Sequence, residues 1–378
     1  MRYLRLTALA AFLTIHFGSS SAFGAIVLVQ HAEQGPSYTI NGQNLTSITL
    51  PSTPTQGNLL VAIIGGDITG NLAAFGWTTA ITRAKTNDLA QTPSSSIFYK
   101  IVPSNQSSTI IFLHTSSPDV NLAVQVYEFS GVNALDPFIG ANTDFGTTDA
   151  DNAPGFQLNS GSVNAQTVSS IFIAGFVGRR QVTGPTARSA GTGILTGYTN
   201  AFRERANITG AAVPCDDLNP GCFGFSGATR LATAGGTFST MTTFTDELPN
   251  AIPFQSTAVS WRGVIAAFRA EVNVSISGRI LHAGGRGVTN AKVTLTDENG
   301  SSTMVTTGRL GNFVFNPVVT GHTYTITVQS RRYTFNPRTI PVSDNVNISN
   351  LEIYSQSGRP ELDDVRAVPV RSESRIQN

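Results

Sequence analysis

From Ala25 onward the apolar residues of this chain arrive in short runs, each closed by a cluster of Gly, Pro, Asn or Ser. The clearest runs are Ala25–Gln30, Asn58–Ile64, Ser96–Val102, Ser108–Leu113, Asn121–Phe129, Ser170–Val177 and Ser260–Phe268. Val, Ile and Phe dominate them, and helical periodicity is scarce. β-Branched and aromatic side chains fit a pleated surface, while the closing residues fit turns. Many strands without intervening helices leave few architectures. The expected fold is all-β, built from sandwich or jelly-roll layers.

The first 24 residues follow another pattern. Arg2 and Arg5 precede the apolar run Leu6–Phe17, and the small residues Gly18–Ala22 follow it. A positive start, a short apolar core and a small-residue zone make a cleavable secretory signal. Cleavage fits after Ala22 or after Gly24. A membrane span needs roughly 18–20 apolar residues, and this run is shorter and contains His16.

Export sets the context for the composition. The chain holds 24 Lys and Arg against 23 Asp and Glu, a formal charge of +1. Losing Arg2 and Arg5 turns that to −1, so nothing steers the product toward nucleic acid or anionic membrane. Charged residues are 12% of the chain, against about 25% in an average protein. With 40% hydrophobic residues and 22 Phe, most of the chain can build a core. Cys215 and Cys222 flank the turn sequence Asn219–Gly221. In an oxidising compartment they are expected to form a local disulfide, contributing roughly 2–3 kcal/mol.

The expected organisation is a signal peptide over 1–24, a jelly-roll-like β-sandwich over 25–270, a small β-sandwich over 272–355 and a disordered tail over 356–378. Two stretches of the first region, Asn142–Ser160 and Gly178–Asn200, read as long loops, where binding residues often ride. The tail is charge-rich and shows neither a wall-sorting motif nor an apolar anchor, so the expected product is secreted or held at the cell surface by a partner, with the periplasm as an alternative.

The second region carries Ser277–Arg279, Gly287–Val288, Ala291–Leu295, Asp297 with Gly300, Thr307–Gly308, Gly311–Phe313 and Gly321–Tyr324. In this pattern it resembles the carboxypeptidase regulatory-like family, a transthyretin-like β-sandwich. The resemblance implies a stalk, spacer or interaction module with no peptidase chemistry. Some related surface modules hold a Lys–Asn cross-link. Lys292 and Asn347 invite that reading, but the strand after Tyr324 reads Thr-Val-Gln-Ser where a catalytic carboxylate often stands, which favours a solvent-facing Lys292. The first region is similar to jelly-roll or concanavalin-like sandwiches of exported bacterial proteins at Gly57–Ala62, Val126–Val132 and Ala258–Phe268.

No nucleophile, zinc or phosphate-loop motif occurs, so no catalytic residue and no cofactor is assigned. His282 and His322 fall in turn segments and read as surface positions. Glu128 alternates with Val124 and Val126 and reads as inward-facing, with Arg262 as candidate partner in a buried ion pair. Asp144, Asp149, Asp151 and Asn152 could supply oxygen ligands to Ca²⁺, although a solvated acidic loop is the favoured reading. Trp77 and Trp261 could stack on a sugar, with core packing favoured for both. The expected function is non-enzymatic binding or adhesion to a glycan or to a surface or matrix protein. A glycan-processing enzyme and a purely structural envelope component are the alternatives, and the oligomeric state stays open.

Overall fold

A computed structural model describes residues 26–38, 45–66, 72–74, 76–84, 92–114, 121–149, 156–165, 169–180, 192–196, 198–199, 203–209, 223–247, 258–343 and 348–356. The expected signal peptide, the residues beyond 356, Cys215, Cys222, Asp151, Asn152 and Asn347 lie outside them. The described residues are all-β. The first group of strands is β1 (Val27–Tyr38), β2 (Leu45–Thr49), β3 (Leu59–Gly66), β4 (Leu72–Ala73), β5 (Thr78–Arg83), β6 (Ser94–Ile101), β7 (Thr109–His114) and β8 (Asn121–Ser130). The second is β9 (Phe138–Asp149), β10 (Phe156–Ala165), β11 (Ser170–Arg180), β12 (Thr192–Thr196), β13 (Arg203–Thr209), β14 (Phe223–Ala232), β15 (Gly236–Glu247) and β16 (Ala258–Arg269).

These two groups share one topology. The first forms sheets β1-β8-β3-β6-β5 and β2-β7-β4, and the second forms β9-β16-β11-β14-β13 and β10-β15-β12. Adding eight to each strand of the first group gives the second. Both follow the interleaved order of a jelly roll. The region expected to hold one such sandwich thus contains two. Register agrees as well: Leu59 faces Phe129 in the first unit as Ile171 faces Phe268 in the second. Along β3 and β11, however, only Ala62/Ala174 and Gly66/Gly178 are identical.

The two units stack through their five-stranded sheets. Leu60, Ala62 and Ile64 of β3 pack outward with Phe112 of β7, while Leu59, Val61 and Ile63 pack inward against Ile171, Ile173 and Val177 of β11. Phe172, Ala174 and Phe176 then pack on the far side with Leu158 and Val163 of β10. Four layers result, and the two central sheets are buried on both faces. Continuous apolar runs are what two-sided burial demands. Each fully buried large side chain contributes about 1.5–3 kcal/mol.

Close approach of the central sheets depends on two glycines, one on each central strand and two positions out of step: Gly65 corresponds to Val177, and Gly175 to Ile63. A Cβ on Gly65 would lie 2.2 Å from Val177 Cγ2, and one on Gly175 would lie 2.4 Å from Ile63 Cγ2. A large residue on one sheet therefore fills the place left by glycine on the other, once in each direction.

Of the two long loops expected, 142–160 is strand wherever it is described, and 178–200 holds strand at 178–180 and Thr192–Thr196, with 181–191 outside the described residues. β9 runs to Asp149, β10 begins at Phe156, and β12 occupies Thr192–Thr196. The polar sequence of β9 fits its place at the edge of its sheet, where only β16 need pair with it.

The remaining strands are β17 (Asn273–Leu281), β18 (Lys292–Thr296), β19 (Ser302–Thr306), β20 (Asn312–Val319), β21 (His322–Gln329), β22 (Arg338–Val342) and β23 (Ile348–Tyr354). Sheets β20-β17-β23 and β19-β18-β21-β22 enclose a separate core that includes Ile276, Val293, Phe313, Phe315 and Ile326. This sandwich meets the connection between the two jelly rolls. Asn133, fully buried, donates from Nδ2 to the Ser343 carbonyl at 2.6 Å, and its Oδ1 accepts from the Leu135 and Asp136 N–H groups. Val272 N–H donates to Thr320 Oγ1 at 2.9 Å. Gly321, at φ +90°, sits where a Cβ would be 2.7 Å from the Ala134 nitrogen.

The central interlayer predicts coupled stability effects. Gly65→Ala should destabilise the protein by about 1–3 kcal/mol through overpacking. Combined with Val177→Ala, the total cost in urea unfolding should fall short of the sum of the single costs by about 1 kcal/mol. Strictly additive costs would mean that the sheets do not meet at these residues.

Candidate functional site

Glu128 is fully buried near the end of β8, on the face that carries Val124 and Val126. Its carboxylate accepts from Gln30 Nε2 at 2.5 Å, from the Thr55 N–H at 2.8 Å and from Asn58 Nδ2 at 2.6 Å. Gln30 in turn accepts from the Ser52 N–H at 2.9 Å. The carboxylate thus pins the β2–β3 connection to β1 and β8.

Arg262 is not one of its partners. It lies on the other side of the molecule's layering, on the face of β16 that meets the first roll, and its Nε donates to the Pro93 carbonyl at 2.9 Å. Its guanidinium also sits 5.1 Å from the centre of the Phe145 ring. The expected Glu128–Arg262 ion pair is replaced by two separate anchors. Successive strand residues point to opposite faces, and sequence alone could not say which sheet each face meets.

The acidic residues proposed for Ca²⁺ are separated by the strand they occupy. Asp144 and Asp149 both belong to β9, in unbroken register with β16. Five residues of strand put their Cα atoms about 17 Å apart, and Asp151 and Asn152 lie outside the described residues. One ion cannot take both Asp144 and Asp149 as ligands. Asp144 Oδ1 instead accepts from the Phe145 N–H at 2.8 Å.

Neither tryptophan offers an open stacking face. Trp261 is 6% exposed and packs in the core between β16 and β10. Trp77 packs on Phe112 with ring centres 5.7 Å apart, and Lys100 Nζ lies 5.7 Å from its ring centre.

His322 departs from its expected surface role. Its Nε2 lies 3.3 Å from Glu271 Oε1 and its Nδ1 lies 2.6 Å from Glu298 Oε1. Glu271 belongs to the connection leaving β16, whereas Glu298 belongs to the β18–β19 turn. Hydrogen bonding to Glu271 and then to Glu298 outweighs partial burial and raises the imidazole to about 9. Burial pushes the Glu298 carboxyl up, but hydrogen bonds from His322 and the Thr323 N–H bring it below its ordinary value. The imidazolium therefore ties the C-terminal sandwich to the connection that carries it.

A groove crosses one end of the β18–β21 pair, with a cavity volume of about 1080 Å³. The β17–β18 connection forms one wall and the β21–β22 connection the other, and Lys292 lies between them. Arg286, Arg331 and Arg332 line the walls, and among the described residues no carboxylate does. His282 and Tyr333 join the walls by stacking, with ring centres 5.7 Å apart and planes at 14°. The turn bearing Arg286 is closed by His282 N–H to the Arg286 carbonyl at 3.0 Å and by Gly284 N–H to His282 Nδ1 at 2.8 Å. Sequence reasoning passed over this cluster because its cations come from two separate segments, 286–292 and 331–332; the turn signal around Gly284 and the Arg331–Arg332 pair were its visible traces.

The segment over 275–353 matches the family model of the carboxypeptidase regulatory-like domain. The C-terminal sandwich is a carboxypeptidase regulatory-like domain. The groove and the His322 clamp both lie within it or at its border. No curated protein gives a significant match to the chain. Among solved structures, the Bacillus anthracis TIE protein is 11% identical, with a TM-score of 0.22, over 57% of this chain and 41% of that one. The chain thus spans less than half the length of that protein. BcpA, the major pilin subunit of Bacillus cereus, is 9% identical, with a TM-score of 0.20, over 83% of this chain and 99% of its own. Superpositions this loose transfer neither a fold nor a role.

Two outcomes follow from these contacts. Glu128→Leu should cost about 2–3 kcal/mol, because the Thr55 N–H and Asn58 amide lose their buried acceptor; a change below 0.5 kcal/mol in urea unfolding, about the level of an ordinary surface substitution, would deny the brace. The His322 contribution is complete below about pH 6.5 and fades as pH rises through about 9, since the folded state binds the proton more tightly. His322→Gln should cost about 1–2 kcal/mol at pH 6 and flatten the alkaline fall in melting temperature. An unchanged alkaline slope in the variant would sink the clamp.

Proposed function

We propose that this chain is an exported, non-enzymatic protein of the cell surface or envelope that acts by binding, with its carboxypeptidase regulatory-like domain as the interaction module. The carrying observation is the use made of its best-placed carboxylates. Glu128 spends its hydrogen-bonding capacity on Gln30, Thr55 and Asn58. Glu271 and Glu298 hold His322, Asp136 pairs with Arg269, and Asp297 accepts from the Asn299 and Ser301 N–H groups in its turn. A glycosidase needs two carboxyl groups facing one cleft and free to exchange protons with substrate. These five groups face four different structural tasks instead.

The layered core supports the same reading. Two jelly rolls with a shared double-sided core make a rigid body, and the buried Asn133 and Thr320 contacts dock the third sandwich at the connection between them. Such a body suits presentation of a binding surface away from its anchor. The expected partners are a glycan or a surface or matrix protein. The signal-like Arg2–Ala22 segment supports export.

Surface labelling of intact producing cells, with fractionation of the medium, tests the address. Labelled or released protein is expected, and confinement to the cytoplasm would overturn the proposal. Incubation with a polysaccharide panel tests the chemistry. No product release is expected, whereas release abolished by Glu128→Gln or another single carboxylate substitution would install the enzyme reading.

A further inference from the structure

We infer that the groove between the β17–β18 and β21–β22 connections binds an acidic polysaccharide. The inference rests on the binding role proposed above and gives that role a place and a ligand class. Four cationic side chains, Arg286, Lys292, Arg331 and Arg332, converge on one groove in a chain whose formal charge as a whole is only +1. Among the described residues, no carboxylate pairs with Arg286, Lys292 or Arg331. All four cationic residues are exposed. Like charges brought together repel one another, and an anionic ligand relieves that repulsion.

The rest of the lining selects among anions. Thr289, Asn290 and Gln329 stand between the cations and offer neutral hydrogen-bonding groups. That alternation suits a sugar chain, whose hydroxyls separate its charged groups. Tyr333, stacked on His282, adds an aromatic surface at the junction of the walls. Aromatic side chains with a polar tip suit ligands that are apolar on one side and wet on the other. The cavity, about 1080 Å³, exceeds what a single small anion fills and matches an oligomeric ligand. A nucleic acid is disfavoured because the basic surface is one groove, and the formal charge of the whole chain is only +1.

The backbone holds the walls in place before any ligand arrives. Leu281 bridges to Gly287, and the Val288 N–H donates to the Ile280 carbonyl at 2.8 Å, fixing the first wall on β17. Lys292 and Gln329 face one another across the β18–β21 pair, which ties the floor to the second wall. Preorganised charges lose little on binding.

The test is affinity electrophoresis and titration of the full exported chain with polygalacturonate, dextran sulfate, inorganic polyphosphate and neutral dextran. Polygalacturonate or dextran sulfate should retain the wild type, and retention should weaken as salt rises. Arg286→Gln combined with Lys292→Gln and Arg331→Gln should raise Kd by about tenfold or more, given the loss of several charge contacts. The variant should keep the wild-type melting temperature, because these side chains are exposed. Arg309→Gln, which removes an exposed cation outside the lining, should leave Kd unchanged. Equal loss in the Arg309 variant, retention by neutral dextran alone, or retention by polyphosphate alone would overturn the assignment. Glycan binding that the triple variant leaves intact would remove the groove while leaving the surface-binding role standing. Absence of binding to every polymer would also overturn the groove, and surface labelling would then judge the broader role separately.

Discussion

Two sheets buried on both faces organise everything else in this molecule. β3 and β11 lie at the centres of those sheets, and their side chains alternate between an inter-roll core and an outer core. A strand in that position has no solvent face on which to place polar residues. The runs Leu59–Gly66 and Ile171–Val177 are accordingly apolar without alternation. The glycines at 65 and 175 are the cost of such close layering, since each gives up a side chain to admit one from the opposite sheet. Gly227 repeats the device, because a Cβ there would collide with Gln125 Oε1 and the Tyr127 hydroxyl. Those two polar side chains, buried between the rolls, hydrogen-bond to one another at 2.7 Å.

The polar groups of the rolls and their connections serve that layering. Glu128 fixes a connection on one outer face, Arg262 reaches from the second roll to the Pro93 carbonyl of the first, and Asn133 ties the inter-roll connection to the C-terminal sandwich. Each is a buried or nearly buried group that is hydrogen-bonded to at least one backbone atom, and satisfied hydrogen bonding is what makes polar burial tolerable. Exposed positive charge is concentrated instead in the groove of the carboxypeptidase regulatory-like domain.

Much of the fold was legible in the sequence. The strands around Ala62, Val126, Phe172 and Val264 announced themselves by β-branched and aromatic content, and the C-terminal domain by its pattern of turn glycines. The edge strand β9 was hidden, because Asn142–Thr148 has loop composition and forms a strand only with β16 beside it. The glycine-bearing β14 was hidden for a related reason, since Gly224 and Gly227 read as turn residues until the layer above them is known. The doubled jelly roll escaped because topology repeats while side chains have diverged to complement each other, Ile63 against Gly175 and Gly65 against Val177.

The sequence by itself determined the all-β character, the identity of the C-terminal domain and the inward position of Glu128, because each depends on local periodicity or on a contiguous motif. Tertiary structure alone decided which groups meet. It separated Glu128 from Arg262 by placing them on faces of different layers, and set the backbones of Asp144 and Asp149 about 17 Å apart along one strand. It also brought Glu271, Glu298 and His322 together, and gathered Arg286, Lys292, Arg331 and Arg332 into one groove. The physical reason is range. Strand propensity and turn chemistry act over a few neighbouring residues, whereas charge pairing and side-chain complementarity act between segments that only the stacking of sheets makes adjacent.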